Sequence, residues 1–546
     1  MKRTLYLSLI CAGLLAGSPV FSQDNDFINK TIPVMMSDSV HLATEVYLSA
    51  DSLPRATILI RTAVDRQRYR DAALQFVAHD YNVVVQSLRG RFGSEGPDSL
   101  FADPLRNIIQ DGRETLQWIT GQPWSDGKIG TFGYNDAGYV QYMLALEAPP
   151  ALKTQYIVSA PFDFYQHTAF PAGAFRKELM EHWLPQLSSA NYDDFWMEHY
   201  RLDRFWRPFI AWRKGAKIAI PVSHVTGWFD PFKEGAIMAF RLYQKYSSKF
   251  ARHHQRLVIG PWTRLPEGTG REQGELIFPA NAEFDLLQDA IRWFNQWLKA
   301  IDTGLLIEPP VKYYLMGDVK NDIAPGNVWN TAASWPPEHT PTRFYLQSDG
   351  LLGFEQREKV EVAEGYRYDP EDPMPTLGGD NFAIERGPYD QTTNELRQDV
   401  LIFTTRPLEE PITVTGRVRV KIYASSSEYD TDFVARLTDV YPDGRSFLIA
   451  DGIARARYRR GLQREKLLSR KGVETFWIDL GNTAVVFQAG HRIRLAITSS
   501  NSPKFEPNPN SPLGFRRHKR NRIAVNTIYY GGKKASFLEL PVRIIE

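Results

Sequence analysis

The sequence predicts an α/β layer with a helical insertion, followed by an all-β sandwich. Three patterns carry that prediction. From 55 to 160, short β-rich runs (ATILIRT, NVVVQSL, KIGTFGY, YIVSAP) alternate with helical stretches (DAALQFVAHD, DGRETLQWITG). That is the rhythm of βαβ units feeding a parallel sheet. From about 162 to 215 the pattern turns helical and rich in aromatics and arginine (ELMEHWLPQL, DDFWMEHYRLDRFWRPFIAW), as an inserted cap does. After about 310 the helical runs stop, and RFYLQ, VRVKIYASS, DFVARLTDVY, ETFWIDL and HRIRLAITSS alternate between turn residues. Strands so spaced predict an antiparallel sandwich of jelly-roll type.

Taken in order, the chain opens with Lys2 and Arg3, an apolar run from Leu5 to Leu15, and small or apolar residues at Val20 and Ser22. This is a signal-peptide pattern with cleavage expected before Gln23, which implies a periplasmic or secreted protein. The run is short for a bilayer span, so no membrane association is expected after its removal. Cys11, the sole cysteine, lies inside the leader behind Ile10, where a lipoprotein signal wants a small residue, so no lipid anchor is read. The α/β layer is expected over 23–161, resuming at 216–316 with KIAIPVSHVTGW, QRLVIGPW and a last helix, FDLLQDAIRWFNQWLKAI. The cap fills 162–215, a proline-containing linker 317–342, and the sandwich 343–546.

With Lys2 and Arg3 removed, the 65 basic residues fall level with the 63 acidic ones. That balance gives no reason to expect a nucleic-acid partner. The basic run RARYRRGLQREKLLSR over 455–470 reads as a solvated face. No phosphate loop, dinucleotide fingerprint or metal-spaced His/Asp/Glu cluster appears, so no cofactor and no metal are expected. His224, in the apolar strand IPVSHVTGW, reads as a core histidine.

The most informative segment is KIGTFGYNDAGYVQYML at 128–144: a strand, a glycine-spaced turn, then a helix. In α/β-hydrolases this turn is G-x-S-x-G, a sharp bend that raises a serine above the sheet. Gly133 and Gly138 keep the frame, but Asn135 holds the serine position. An amide cannot be activated to attack a carbonyl as a hydroxyl can.

Further landmarks are RGRFGSEG (89–96), QPWSDGKIGTFG (122–133), GWFDPF (227–232), IGPW (259–262), YDPEDPMPTLGG (368–379) and GHRIRLAITSSNSPKFEPNPN (490–510). With these the chain resembles the cocaine esterase-type acyl hydrolases and X-Pro dipeptidyl-peptidases. That group joins an α/β-hydrolase domain and helical cap to a C-terminal jelly roll, and the resemblance covers almost the whole mature chain. It implies a triad acid at Asp230, a histidine where this chain has Arg264, and a tyrosine oxyanion donor where it has Val64. Only the acid is retained.

The expected catalytic positions are therefore Asn135, Asp230 and Arg264, converging beneath the cap. Tyr134, Asp136, Val64, His167, His182 and Trp183 are expected to line the substrate pocket, with Asp136, Asp230 or a cap histidine as possible bases. A permanent cation in place of a titrating histidine points to a small carboxylated or oligosaccharide substrate, anionic in character. Elimination beside a uronate (lyase or dehydratase chemistry) is the favoured expectation. The alternatives are a non-catalytic binding protein, and ester or X-Pro peptide hydrolysis by a displaced nucleophile.

Overall fold

The computed structural model describes residues 27–98, 105–210, 218–470 and 472–543. The expected leader and cleavage site, with Cys11, lie outside these residues. No helix among the described residues is long and apolar enough to cross a membrane.

The first sheet has ten strands. Its strands, named with those of a small neighbouring hairpin, are β1 (Phe27–Met35), β2 (His41–Ser49), β3 (Arg55–Thr62), β4 (Asn82–Ser87), β5 (Ser125–Tyr134), β6 (Leu152–Val158), β7 (Val222–Gly227), β8 (Gln255–Gly260), the hairpin β9 (Glu272–Gln273) and β10 (Leu276–Ile277), then β11 (Val311–Leu315) and β12 (Val328–Ala332). The order is β1-β2-β4-β3-β5-β6-β7-β8-β11-β12, parallel from β4 to β11 and antiparallel at both edges. The parallel strands are buried along nearly their whole length, as their Val- and Ile-rich runs require. Helices α1 (Arg70–Ala78), α2 (Asp111–Thr120), α3 (Asp136–Ala145), α4 (Lys177–Leu187), α5 (Asp193–His199) and α6 (Lys233–Tyr246) follow in chain order. α4 and α5 belong to the expected cap, and every residue of α3 is buried. This is an α/β-hydrolase-like domain.

The stretch expected as a linker does more than connect. Val328–Ala332 pairs antiparallel with β11 and closes the first sheet, while Thr340–Gln347 already pairs in the second. The run VWNT supplies the β-branched and aromatic residues of an edge strand.

The second domain is an eleven-stranded antiparallel-rich structure whose long strand Ile412–Ser426 pairs with Glu474–Phe487. Its inner face is filled by Phe433, Phe476, Ile478 and Leu538, all essentially inaccessible. Direct contacts hold the two domains together. Trp335 Nε1 donates to Asn482 Oδ1 at 2.9 Å, and the Glu234 carboxylate accepts the backbone and side-chain N–H groups of Asn482, both at 2.7 Å. The basic run at 455–470 is not simply a solvated face: Arg455 pairs with Asp432, Arg457 with Asp430 and Arg459 with Glu474. Carboxylates distant in sequence compensate these guanidinium groups, which a one-dimensional charge count does not reveal.

Candidate active site

β5 ends at Tyr134 and α3 begins at Asp136, so the whole strand-to-helix turn falls on Asn135. Asn135 has φ 53° and ψ −110°. This conformation is costly for any residue with a Cβ and is the strained bend that an elbow requires. The turn is held by Asn135 N–H, which donates to Val158 O and Ser159 O at 3.2 and 3.0 Å. Both glycines of the frame are required by close approach. A Cβ on Gly133 would stand 2.6 Å from Ala137 Cβ, and one on Gly138 would stand 2.5 Å from Ala160 Cβ.

Asp230 lies in the turn after β7 and is fully buried. Its Oδ1 accepts Phe232 N–H at 2.8 Å; its Oδ2 accepts Leu265 N–H at 3.2 Å and the Ser159 hydroxyl at 2.5 Å. Burial pushes its pKa up to about 6, against the three hydrogen bonds that favour the carboxylate. Ser159 Oγ also stands 3.5 Å from Asn135 Oδ1, so Asn135, Ser159, Asp230 and the backbone beside Arg264 form one connected corner. Ser159 ends β6 in the YIVSAP run and was not singled out by sequence. Its clue is position, at the carboxyl end of a central parallel strand. Its single proton goes to the nearer partner, Asp230.

Asp136 is buried, and its Oδ2 accepts the Thr62 hydroxyl at 2.7 Å and Ala63 N–H at 2.8 Å. Burial raises its pKa, and these donors oppose the rise. In this fold the amide after the elbow residue and an amide from the β3 loop normally point at a substrate oxyanion. Here the Asp136 carboxylate already sits on the β3-loop amide of Ala63. The expectation that Asp136 serves as a base is not supported by this arrangement.

Arg264 makes no ion pair with Asp230. Its only ion pair among the described residues is with Glu267, at 3.8 Å. The guanidinium lies 4.0 Å over the Phe382 ring, a cation–π contact, and its buried Nε has no hydrogen-bond partner. Burial lowers its pKa, Glu267 opposes that, and Arg386 and Arg68 lower it further by like-charge repulsion. Arg386 belongs to the second domain and Arg68 follows β3, so the like charge felt at Arg264 comes from two other parts of the chain. Phe382 is held in place from the cap: buried Glu178 on α4 accepts Phe382 N–H at 3.1 Å and Ala383 N–H at 2.5 Å.

The remaining expected positions divide. Tyr134 is half-buried beside Asn135 and stacks on Tyr69 with centroids 4.7 Å apart. Its pKa is pushed up to about 12, by burial first and then by Asp136 and Glu267. Val64 is buried in the core of the first domain. Trp183 packs the cap down, with Phe232 at 5.0 Å and Phe164 at 5.8 Å. His182 is exposed, and its Nδ1 is 2.8 Å from the Glu178 carbonyl one helical turn back. His167 lines a separate cavity between the domains. Neither histidine is positioned by these contacts as a base beside Asn135. Among the described residues no group of three or more His, Cys, Asp or Glu is gathered to hold a metal ion.

Two family models match. The X-Pro dipeptidyl-peptidase (S15 family) model covers residues 38–194 and 181–265, and the X-Pro dipeptidyl-peptidase C-terminal non-catalytic domain model covers 306–539. The chain belongs to the cocaine esterase/X-Pro dipeptidyl-peptidase-like family. Cocaine esterase of Rhodococcus sp. (strain MB1 Bresler) is 29% identical, over 95% of this chain and 99% of that one. An alpha-amino acid ester hydrolase structure superposes with a TM-score of 0.84 at 25% identity, covering 97% and 99% of the two chains. An aminopeptidase from a marine sediment Thaumarchaeota archaeon gives the same TM-score at 23% identity, covering 98% and 99%, which speaks to the fold alone. In this family setting, the second domain matched as non-catalytic supplies Phe382, which touches Arg264.

Proposed function

We propose that this family member recognises a carboxylated small molecule or uronate-ended oligosaccharide in the Arg264 cleft and does not carry out acyl transfer. The observation that carries this reading is the buried Asp136 carboxylate seated on the Thr62 hydroxyl and the Ala63 N–H of the β3 loop. A tetrahedral oxyanion would have to displace that buried anion to use the Ala63 amide. Asn135 has no hydroxyl, and Asp230 is spent on Ser159 and two backbone amides. Ser159 is itself fully buried and a donor to Asp230, which argues against it as a displaced nucleophile. Arg264, unpaired with Asp230 and flanked by Arg386 and Arg68, supports capture of an anion by parallel hydrogen bonds.

Elimination is the second reading, and Glu267 favours it. Its carboxylate is the acidic partner of Arg264 and acts electrostatically on Tyr134, beside the place where Arg264 would neutralise a substrate carboxylate. Calorimetry and ultraviolet absorbance on the same uronate-ended oligosaccharides separate the readings. Heat without a new conjugated-acid band supports binding; a growing band that Glu267→Gln abolishes supports elimination. Ester hydrolysis by the wild-type protein, lost on Ser159→Ala, would overturn both.

A further inference from the structure

A cavity of about 220 Å³ lies where the cap, the turn after Asp230 and the second domain meet, away from the Asn135–Arg264 corner. Its wall carries buried charge of both signs. Lys504 bridges Asp380 and Asp451, the latter at 2.5 Å. Arg176 donates to Pro231 O at 2.9 Å and Asp380 O at 2.5 Å, yet its Nε has no hydrogen-bond partner although the residue is only 4% exposed. Lys233, 5% exposed, donates one of its three protons to Trp228 O at 2.8 Å. Nδ1 of His167 is likewise buried without a partner.

Four acidic side chains (Glu234, Asp380, Asp451, Asp479) face four basic ones (Arg176, Lys233, Arg417, Lys504), so the wall is electrically balanced. A net ion gains little from such a wall. A molecule whose groups both donate and accept can satisfy both signs at once, and hydroxyls do this. Phe505, Ile453 and Leu480 add an apolar side to the same space. The volume equals that of about seven liquid waters, the scale of one sugar ring.

We infer that this cavity is a second ligand site, for a neutral polyhydroxylated molecule of the monosaccharide class. It is independent of the anionic cleft proposed above. Because Pro231 and Lys233 line it, its occupant touches the turn that carries Asp230.

The test is hydrogen exchange of the full-length protein with D-galactose, D-glucose or L-rhamnose, alongside calorimetry. One of these sugars should protect segments 231–234, 450–453 and 479–482 in the wild-type protein. Lys233→Met should weaken its binding by at least about tenfold, and Arg264→Ala should leave it unchanged. Exchange unaltered by all three sugars, or protection that Arg264→Ala removes, would overturn the proposal. Because the exchange result comes from the wild-type protein, it stands even if Lys233→Met fails to fold. Failure of uronate binding at Arg264 would leave this result untouched.

Discussion

Two neighbouring corners, the elbow and the β8 loop, are built on opposite principles. At the elbow the two buried carboxylates are answered from within: Asp136 by Thr62 and Ala63, and Asp230 by Ser159, Phe232 and Leu265. At the β8 loop the arginine is left open, resting on an aromatic face with an unbonded Nε and two further arginines nearby. A closed polar network confers rigidity and order but offers an incoming group no free partner. An under-compensated cation is a liability in the empty protein and an asset when an anion arrives. On the function proposed above, the contrast means that the site's frame is kept while its usable chemistry lies at the β8 loop.

The strongest way to break the comparison is to reopen the elbow. Asn135→Ser with Arg264→His restores a nucleophile and a base yet leaves the Asp136 carboxylate on the Ala63 amide. This double variant should hydrolyse aryl esters poorly. Adding Asp136→Gly should raise kcat by about 10²–10³, the usual worth of a freed oxyanion donor. Equal rates with and without Asp136 would show that its carboxylate does not block the site.

A second test asks what Asp136 contributes to stability. Asp136→Ala strands the Thr62 hydroxyl and Ala63 N–H in the interior, at about 1–3 kcal/mol for an unmet buried polar group. Asp136→Asn keeps an acceptor oxygen and should cost less. Denaturant unfolding of the two variants measures the difference, and Ala no worse than Asn would contradict a closed network.

Protonation sharpens the picture further. Asp230 has its folded pKa raised from 3.8 to about 6, so its contribution is fully present below 3.8 and is lost as pH rises through 6. His224, buried with Nδ1 2.9 Å from the Tyr142 hydroxyl, has its pKa depressed by burial from 6.5 to about 3. Its contribution is present above 6.5 and is lost as pH falls towards 3. The slopes oppose each other between about pH 4 and 6, each about 1.4 kcal/mol per pH unit. These two groups should nearly cancel there in the wild-type protein. Asp230→Asn should become more acid-sensitive than wild type, and His224→Gln less so. Parallel stability–pH curves for all three proteins would refute the assignment.

The fold was legible in sequence because periodicity and turn residues are local. The βαβ runs, the switch to strands after 310 and the glycine frame of the elbow each sit within one short window. The role of Asn135 as the bend residue was legible for the same reason. What was not legible is pairing across the chain. Ser159 meets Asp230 from 71 positions away, and Asp136 meets Ala63 from 73. Phe382 reaches Arg264 from another domain, held by Glu178 of the cap. The histidines failed as site markers because residue type gives no direction: His182 lies against its own helix, and His167 lines a different cavity. VWNT, read as part of a linker, became an edge strand because β11 offered it an unpaired side.

The smallest expected effect bears on the open corner itself. Arg264→Lys keeps the charge but removes the planar fork, so two parallel hydrogen bonds to a carboxylate become one point contact. Uronate binding should weaken by about 1–3 kcal/mol, the worth of a charged hydrogen bond. Folding should change little, because the pair with Glu267 is long and Glu267 is 59% exposed. Stability and affinity therefore respond differently to this one substitution. If Arg264→Lys instead lowers the unfolding midpoint and leaves binding intact, the arginine serves its contact with Phe382 and the two corners are equally closed. If affinity falls while the midpoint holds, the arginine is kept for what enters the cleft.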